Sequence, residues 1–283
     1  MRIRIGSDST CDLSPELFEK HNIARLPLTV TLGDFSGKDG VDVTPDKIYA
    51  YVAEKGVLPT TSALNVAEYS ELFTEILKDA DALVYVTIGS GFSSCYQNAC
   101  IAAQDFDNVF VIDSQNLSTG QGHVVLEAVK GAEKCETMED VAKLAEELRE
   151  LTTRVEASFI LDKLDYMHKG GRCSVVALMS ASLMNIKPCI EVKDGKMGVA
   201  KKYRGNLQKC LKKYVEDRLK DRDDIIKERI FITDSGISDE IREMVSGVVK
   251  ECADFEETYV TRAGCTVSSH CGENTLGVLF IRK

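Results

Sequence analysis

The sequence has no excess of positive charge. Its 283 residues carry 35 lysines and arginines against 45 aspartates and glutamates, a net charge of −10. That balance argues against a nucleic-acid surface, which needs clustered Lys and Arg. Long apolar runs are missing too. None approaches the ~18 residues of a membrane-crossing helix. The opening Met1-Arg2-Ile3-Arg4-Ile5-Gly6 enters a strand directly, without the apolar core of a signal peptide. The expectation is a cytoplasmic protein with no integral membrane segment. Cysteine is present ten times but scattered, with no Cys-x-x-Cys pair, so the thiols read as small buried hydrophobes rather than a disulfide framework. A metal site at Cys265, His270 and Cys271 matches no usual zinc spacing, and neither metal nor cofactor is expected.

Two catalytic signatures are absent as well. There is no G-x-S-x-G elbow to expose a hydrolase serine. Gly33-Asp34-Phe35-Ser36-Gly37-Lys38-Asp39 is too short for a phosphate loop and ends in Asp39 where Ser or Thr is required.

What the chain does have is the 44% hydrophobic, 28% charged composition of an ordinary globular protein and an alternation of strand and helix signals. Arg2–Ile5 reads as a first strand, and Ala24 to Val30, interrupted by Pro27, as a second at an edge or an early position. Ser14-Pro15 and Thr44-Pro45 read as helix caps followed by proline at the first helical position. Val66, Tyr69, Leu72, Phe73, Ile76 and Leu77 repeat at helical spacing. Ala82–Ile88 and Val109–Ile112 are the continuous apolar runs of buried parallel strands. A helix starts at Thr137. This βαβα series predicts a mostly parallel sheet with helices on both faces.

A second domain begins near residue 155. Ala157–Leu161 is a strand, Lys169-Gly170-Gly171-Arg172 a turn, and Val175–Leu183 a helix of small and flexible apolar residues. Cys189–Val192 and Met197–Arg204 flank Asp194-Gly195 as a hairpin. Strands at 230–233, 257–262 and 276–282, with helices at 206–221 and 239–252, complete a mixed sheet. The expected domains are 1–155 and 156–283.

Three loops carry the chemistry: Pro59-Thr60-Thr61-Ser62, Gly89-Ser90-Gly91-Phe92-Ser93-Ser94, and Asp113 to Gly120. The last two follow strand signals and all three precede helix signals. Hydroxyls and free N–H groups at helix starts receive anionic oxygens, which points to a carboxylate or phosphate ligand. Read alone, Thr61 and Ser62 suit helix N-caps. The second loop is a broken G-x-G-x-x-G with Asp113 at the end of the next strand, where a ribose-binding acid would lie. Asp8, Asp12 and Asp113 are loop acids that a Mg²⁺ ion could use. His270, in Ser268-Ser269-His270-Cys271-Gly272, reads as a loop histidine near a site; as a base for Ser93 it lacks an orienting acid. A nucleotide-dependent phosphotransferase and a small-anion sensor module are the alternatives these residues leave open.

In order, Asp8–Leu13, Pro59–Ser62, Gly91–Ala99, Ile112–Ser114 with Gly120–Gly122, Lys169–Ser174, Ile186–Pro188, Asp194-Gly195 with Arg204-Gly205, and Gly264–Gly272 resemble the DegV family of bacterial fatty-acid-binding proteins, which includes the lipid-carrying subunit of fatty acid kinase. The resemblance implies two three-layer α/β/α domains, the N-terminal sheet largely parallel and the C-terminal sheet mixed, with an acyl-chain tunnel in the C-terminal domain. It implies a long-chain fatty acid whose carboxyl group meets Thr61, Ser62 and Ser93, with His270 beside them. Arg172 and Arg204 would contact phosphate or a partner. The chain would be a carrier, not itself catalytic, that presents its ligand to a separate fatty acid kinase catalytic subunit. The sequence departs from the family at Phe92-Ser93-Ser94-Cys95, where Leu-Ser-Gly-Thr is usual, and at Glu273-Asn274, where Pro-Gly is usual. An acyl chain gains ~0.8 kcal/mol per buried CH₂, so few polar contacts suffice to orient it.

Overall fold

The computed structural model describes residues 1–173 and 186–283. The helix expected at Val175–Leu183 lies outside the described residues. In chain order the elements are β1 (Ile3–Asp8), a 3-10 turn (Ser9–Cys11), α1 (Pro15–Lys20), β2 (Ala24–Leu26), β3 (Thr29–Leu32), β4 (Phe35–Lys38), α2 (Pro45–Lys55), β5 (Thr60–Ser62), α3 (Val66–Ile76), β6 (Ala82–Thr87), α4 (Cys95–Ala103) and β7 (Val109–Asp113). There follow α5 (Ser118–Ala132), α6 (Met138–Thr152), β8 (Val155–Ile160), α7 (Asp165–Gly170), β9 (Ile186–Lys193), β10 (Lys196–Arg204), α8 (Leu207–Leu219), β11 (Arg229–Asp234), α9 (Asp239–Cys252), β12 (Glu257–Arg262), α10 (Cys265–Cys271) and β13 (Leu276–Ile281).

Local chemistry sets the helix starts. Ser14 accepts from the Leu17 N–H ahead of Pro15, and Thr44 from the Lys47 N–H ahead of Pro45. Asn65 with Glu68 and Thr137 with Asp140 form capping boxes. Thr61 and Ser62 are not caps, because Asn65 takes that role and Thr60–Ser62 is extended.

Four strands, β2-β1-β6-β7, form a wholly parallel sheet. All six residues of β6 are buried, as its apolar run requires. The expected second strand is two strands. Pro27 has no N–H to continue a ladder, and the chain leaves the edge strand β2 to enter a separate small antiparallel sheet, β4-β3-β5. The third sheet, β10-β9-β8-β13-β11-β12, is mixed, with β11–β12 its parallel pair and the others antiparallel. Asp194 and Gly195 both take positive φ, 50° and 68°, so the predicted Asp-Gly turn joins β9 to β10. Lys169 and Gly170 close α7 rather than forming a free turn, with Gly171 as its left-handed C-cap.

The two large sheets share one helix. Ten residues of α5 are buried, because it packs on β1 and β6 of the parallel sheet and on β8, β11 and β13 of the mixed one. Ile5, Val84, Phe159, Phe231 and Leu279 therefore belong to one continuous core. The opposite face of the mixed sheet buries Ile160, Ile230, Ile232 and Phe280 against α8 and α9, giving a layered α/β/α arrangement. Close approach by α5 depends on glycine. A Cβ at Gly122 would lie 2.8 Å from Leu13 Cδ2 and 2.9 Å from the Cys11 carbonyl oxygen. Among the described residues no helix is long and apolar enough to cross a membrane.

Because a backbone oxygen cannot step aside as a side chain can, Gly122→Val is expected to destabilise the protein by about 1–3 kcal/mol. Urea unfolding followed by far-UV circular dichroism measures it, and a variant as stable as the parent would refute the close-approach argument.

Candidate functional site

All strands of the parallel sheet end on the same side, the edge where open α/β sheets bind ligands. The loops after β1, β6 and β7 meet there, and hydrogen bonds fix each to its neighbour. Asp8, fully buried at the end of β1, accepts from the Ile88 N–H at 2.9 Å, from the Gln121 side-chain amide at 2.9 Å, and from the Thr10 hydroxyl. Asp113 accepts from the Ser90 N–H, the Ser90 hydroxyl and the Gln115 N–H at 3.0, 2.5 and 2.9 Å. Its carboxylate thus shapes the Gly89–Ser94 loop and is not held out for a ribose.

Within that loop the Ser93 hydroxyl accepts from the Cys95 N–H at 3.3 Å and points its own hydrogen toward Cys95 Sγ at 3.1 Å. The loop backs onto the β9–β10 hairpin so closely that a Cβ on Gly91 would sit 2.2 Å from the Gly195 carbonyl oxygen. Thr61 and Ser62 are on β5, set opposite Val30 and Thr29 of β3. His270 is not in a loop. It sits near the C-terminus of α10, a seven-residue helix, and its Nε2 lies 2.9 Å from Thr61 Oγ1. Among the described residues Nδ1 of the same ring is buried without a partner, packed where a Cβ of Gly170 would be, 2.5 Å away. Arg172 donates to the Gly170 carbonyl at 2.7 Å and is otherwise exposed.

Thr61, Ser62, Ser93, Arg172 and His270 line one cavity of about 560 Å³, counted to its open mouth. The remainder of its wall is mostly apolar, including Leu28, Phe92, Met167 and Val267. Behind it lies a second space of about 390 Å³, counted to its open side, whose exposed surface is apolar. Leu117, Val267 and Cys271 border both, and the second continues between α5 and the mixed sheet past Ala157, Phe159 and Leu279. Arg204 is not brought to this place; it stands exposed at the end of β10, opposite Ile186.

Burial sets the electrostatics of the inner wall. Burial, with a smaller contribution from the Arg172 cation, lowers the His270 pKa to about 4, so its ring is neutral at pH 7. Burial also pushes the Asp12 carboxyl up to about 8, although Ser118 Oγ donates to it at 2.6 Å and the Gly264 N–H at 2.8 Å. Asp39, fully buried, receives the N–H groups of Cys265 and Thr266 and the hydroxyls of Thr266 and Ser9. Asp39 and Thr266 were not legible as site residues; nothing in their spacing marks them. The thiol of Cys265 donates to the Val43 carbonyl at 3.0 Å, and among the described residues no three His, Cys, Asp or Glu side chains are placed to hold a metal ion. Asp8 and Asp12 are spent on backbone, amide and hydroxyl donors.

The histidine makes a pH prediction. The folded-state pKa of about 4 lies below the usual 6.5, so the unfolded chain protonates first as pH falls. Stability contributed by the neutral ring is complete above pH 6.5 and lost between about 6.5 and about 4. The His270→Gln variant should lose less stability than the parent between pH 7 and pH 5, read from urea midpoints, while the parent's His270 Cε1–H resonance stays flat over that range.

The family model described as "Uncharacterised protein, DegV family" matches residues 2–283. A DegV domain-containing protein of Clostridium acetobutylicum is 32% identical over 284 residues, covering 100% of this chain and 99% of its own. A DegV family protein from Thermus thermophilus, whose structure is described as fatty acid binding, superposes with a TM-score of 0.87 at 29% identity over 100% of both chains. A stearic acid-binding protein from Eubacterium ventriosum superposes with a TM-score of 0.81 at 27% identity, covering 99% of this chain and 98% of its own. With two α/β sheets wrapped around a shared helix and a family match along its whole length, the chain belongs to the DegV family.

Proposed function

We propose that this protein binds a long-chain fatty acid and, without catalysing a reaction itself, presents the carboxyl group to a separate ATP-dependent kinase that forms the acyl phosphate. The observation that carries this reading is the pairing of cavities: a rim of hydroxyls and an imidazole opens onto an apolar space that extends inward past Val267. Two relatives of the same fold are described as binding fatty acids.

The chemistry follows from the groups at the rim. A buried carboxylate is costly unless several donors face it. Thr61, Ser62 and Ser93 supply hydroxyl donors. With its proton on Nε2, His270 donates to Thr61 Oγ1 and leaves the Thr61 hydrogen free for the ligand; Nδ1 is then an unpaired acceptor, cheaper to bury than an unpaired N–H. The tail lies in the second cavity, which residues 156–283 mostly enclose, and supplies most of the affinity at ~0.8 kcal/mol per CH₂. Arg172, exposed at the rim, meets the incoming phosphate, and Arg204 meets the kinase. The cytoplasm, where ATP is available, is the compartment this role requires.

Native mass spectrometry of protein purified from cells should show a bound fatty acid, and palmitate or oleate should bind after delipidation. A chain that is empty and ignores both acids, or that binds ATP alone, overturns the reading. Thr61→Val and Ser93→Ala should each weaken palmitate about 10- to 100-fold, as loss of a charge-assisted hydrogen bond of about 1.5–3 kcal/mol does, while changing affinity for palmityl alcohol far less. Ala263→Phe, which projects a ring into the second cavity, should shift preference to shorter acids. With the kinase and ATP, Arg172→Ala should slow acyl hydroxamate formation without weakening palmitate binding.

A further inference from the structure

We propose that Asp39 is the positioning residue of the head-group site: it holds His270 at hydrogen-bonding distance from Thr61, and so sets which hydroxyl hydrogen faces the ligand. The inference rests on the fatty-acid reading and concerns how that site is assembled.

Thr61 and His270 belong to elements that are far apart in sequence, and the 2.9 Å contact between them is made by side chains on two short elements. β5 is three residues long and α10 seven. Neither is stable alone, so their relative placement must come from elsewhere. Asp39 connects them. Its backbone belongs to the Thr61 side. Asp39 follows β4 directly, its N–H donates to the Leu28 carbonyl at 2.8 Å, and β3 pairs with β4 on one edge and with β5 on the other. Its carboxylate belongs to the His270 side. Oδ1 accepts from the Cys265 N–H at 2.8 Å, and Oδ2 from the Thr266 N–H and hydroxyl at 3.0 and 2.8 Å. These are the first N–H groups of α10, which have no partner inside the helix. One residue therefore clamps the small sheet to the start of the helix whose last turn presents His270. Ser9 Oγ, at 3.0 Å from Oδ2, fills the remaining acceptor position and ties the clamp to the end of β1.

The arrangement specifies aspartate. Asparagine keeps one acceptor oxygen but places an NH₂ against N–H or O–H donors. Glutamate is one methylene too long for a side chain with no exposed surface. Gly264 provides an independent probe of the same joint. A Cβ there would stand 3.3 Å from Asp39 Oδ1 and 3.0 Å from Asp12 Oδ1, and its φ of −67° suits alanine. Gly264→Ala thus presses on the clamp without altering any polar group.

The test uses the full chain, delipidated, with palmitate as probe. Asp39→Asn and Gly264→Ala are measured for palmitate affinity by calorimetry and for the His270 ring by long-range ¹H–¹⁵N correlation, which reports the tautomer and the Nε2 hydrogen bond. The expected result is a loss of at least about tenfold in palmitate affinity for Asp39→Asn, about threefold or more for Gly264→Ala, and a displaced His270 Nε2 resonance in both ligand-free variants. If Asp39→Asn does not fold, Gly264→Ala decides. Variants that bind palmitate within twofold of the parent with an unmoved His270 signal overturn the proposal, even if both melt earlier, because that is what a purely structural residue does. A parent that binds no fatty acid overturns the functional reading instead, and the ring resonances still decide whether Asp39 sets the Thr61–His270 contact.

Discussion

Three buried carboxylates, with no cation bonded to any of them among the described residues, organise this molecule. Asp8, Asp12 and Asp39 lie at or just beyond strand ends, each at most 5% exposed. A buried polar oxygen without a partner is costly, and a charged one more so, so each must be met by donors, and each is: Asp8 by Ile88, Gln121 and Thr10, Asp12 by Gly264 and Ser118, Asp39 by Cys265, Thr266 and Ser9. Those donors come from distant parts of the chain. Satisfying these buried oxygens therefore fixes the loops after β1 and β6, the start of α5 and the start of α10 with respect to one another. Burial leaves its mark on Asp8 and Asp12, whose pKa values rise despite these bonds. The network explains how a rim of short loops can be rigid enough to shape a cavity.

The cavity itself exists because bulk is withheld on its inner side. Ala157, Ala263 and Gly277 occupy places where larger residues would close the space. A Cβ on Gly277 would also meet the Ser158 carbonyl oxygen at 2.5 Å, so that position is open for backbone reasons as well. Around it the core is filled by large side chains, among them Phe231 stacked on Tyr259 at 5.2 Å. Apolar walls gain dispersion contacts only from atoms packed against them. An aliphatic ligand would supply such contacts, which is the thermodynamic sense of the fatty-acid proposal.

Much of the frame was legible because it rests on local rules. Ser14, Thr44 and Thr137 cap helices as their spacing requires, the apolar run at 82–88 became a central buried strand, and Asp194-Gly195 made its hairpin. The misreadings have a common origin. Thr61 and Ser62, read alone, suited caps, Pro27 looked like a blemish in one strand, and His270 like a loop residue. Each answer depended on the small sheet β4-β3-β5 or on α10, elements whose stability is tertiary and whose sequences carry little periodicity. Asp39 was read only as a defect in a phosphate loop that does not exist. Its role depends on a partner 226 residues away, and no pattern in a single chain encodes that distance. Thr61, Ser62, Ser93 and His270 were picked out as hydroxyl-rich loops and a late histidine, and geometry brings them to one rim along with Arg172, while Arg204 stays apart.

The choice of neutral donors at that rim bears on what a carrier must do. A buried arginine facing a carboxylate would cost desolvation of both charges, and the pair would resist separation. On the proposed reading, hydroxyls and a neutral imidazole would hold the same group more loosely and leave no uncompensated charge when the ligand departs. His270, kept neutral by its surroundings, can direct the Thr61 hydrogen without competing for the carboxylate as a cation would. Charge is instead kept on Arg172, at the exposed mouth, where on the proposed reading its field would reach an approaching phosphate but bind the resting carboxylate weakly. Affinity then resides in the tail and orientation in the rim. On the proposed reading, this division lets the reactive end of the ligand be modified and handed on while its apolar end stays buried.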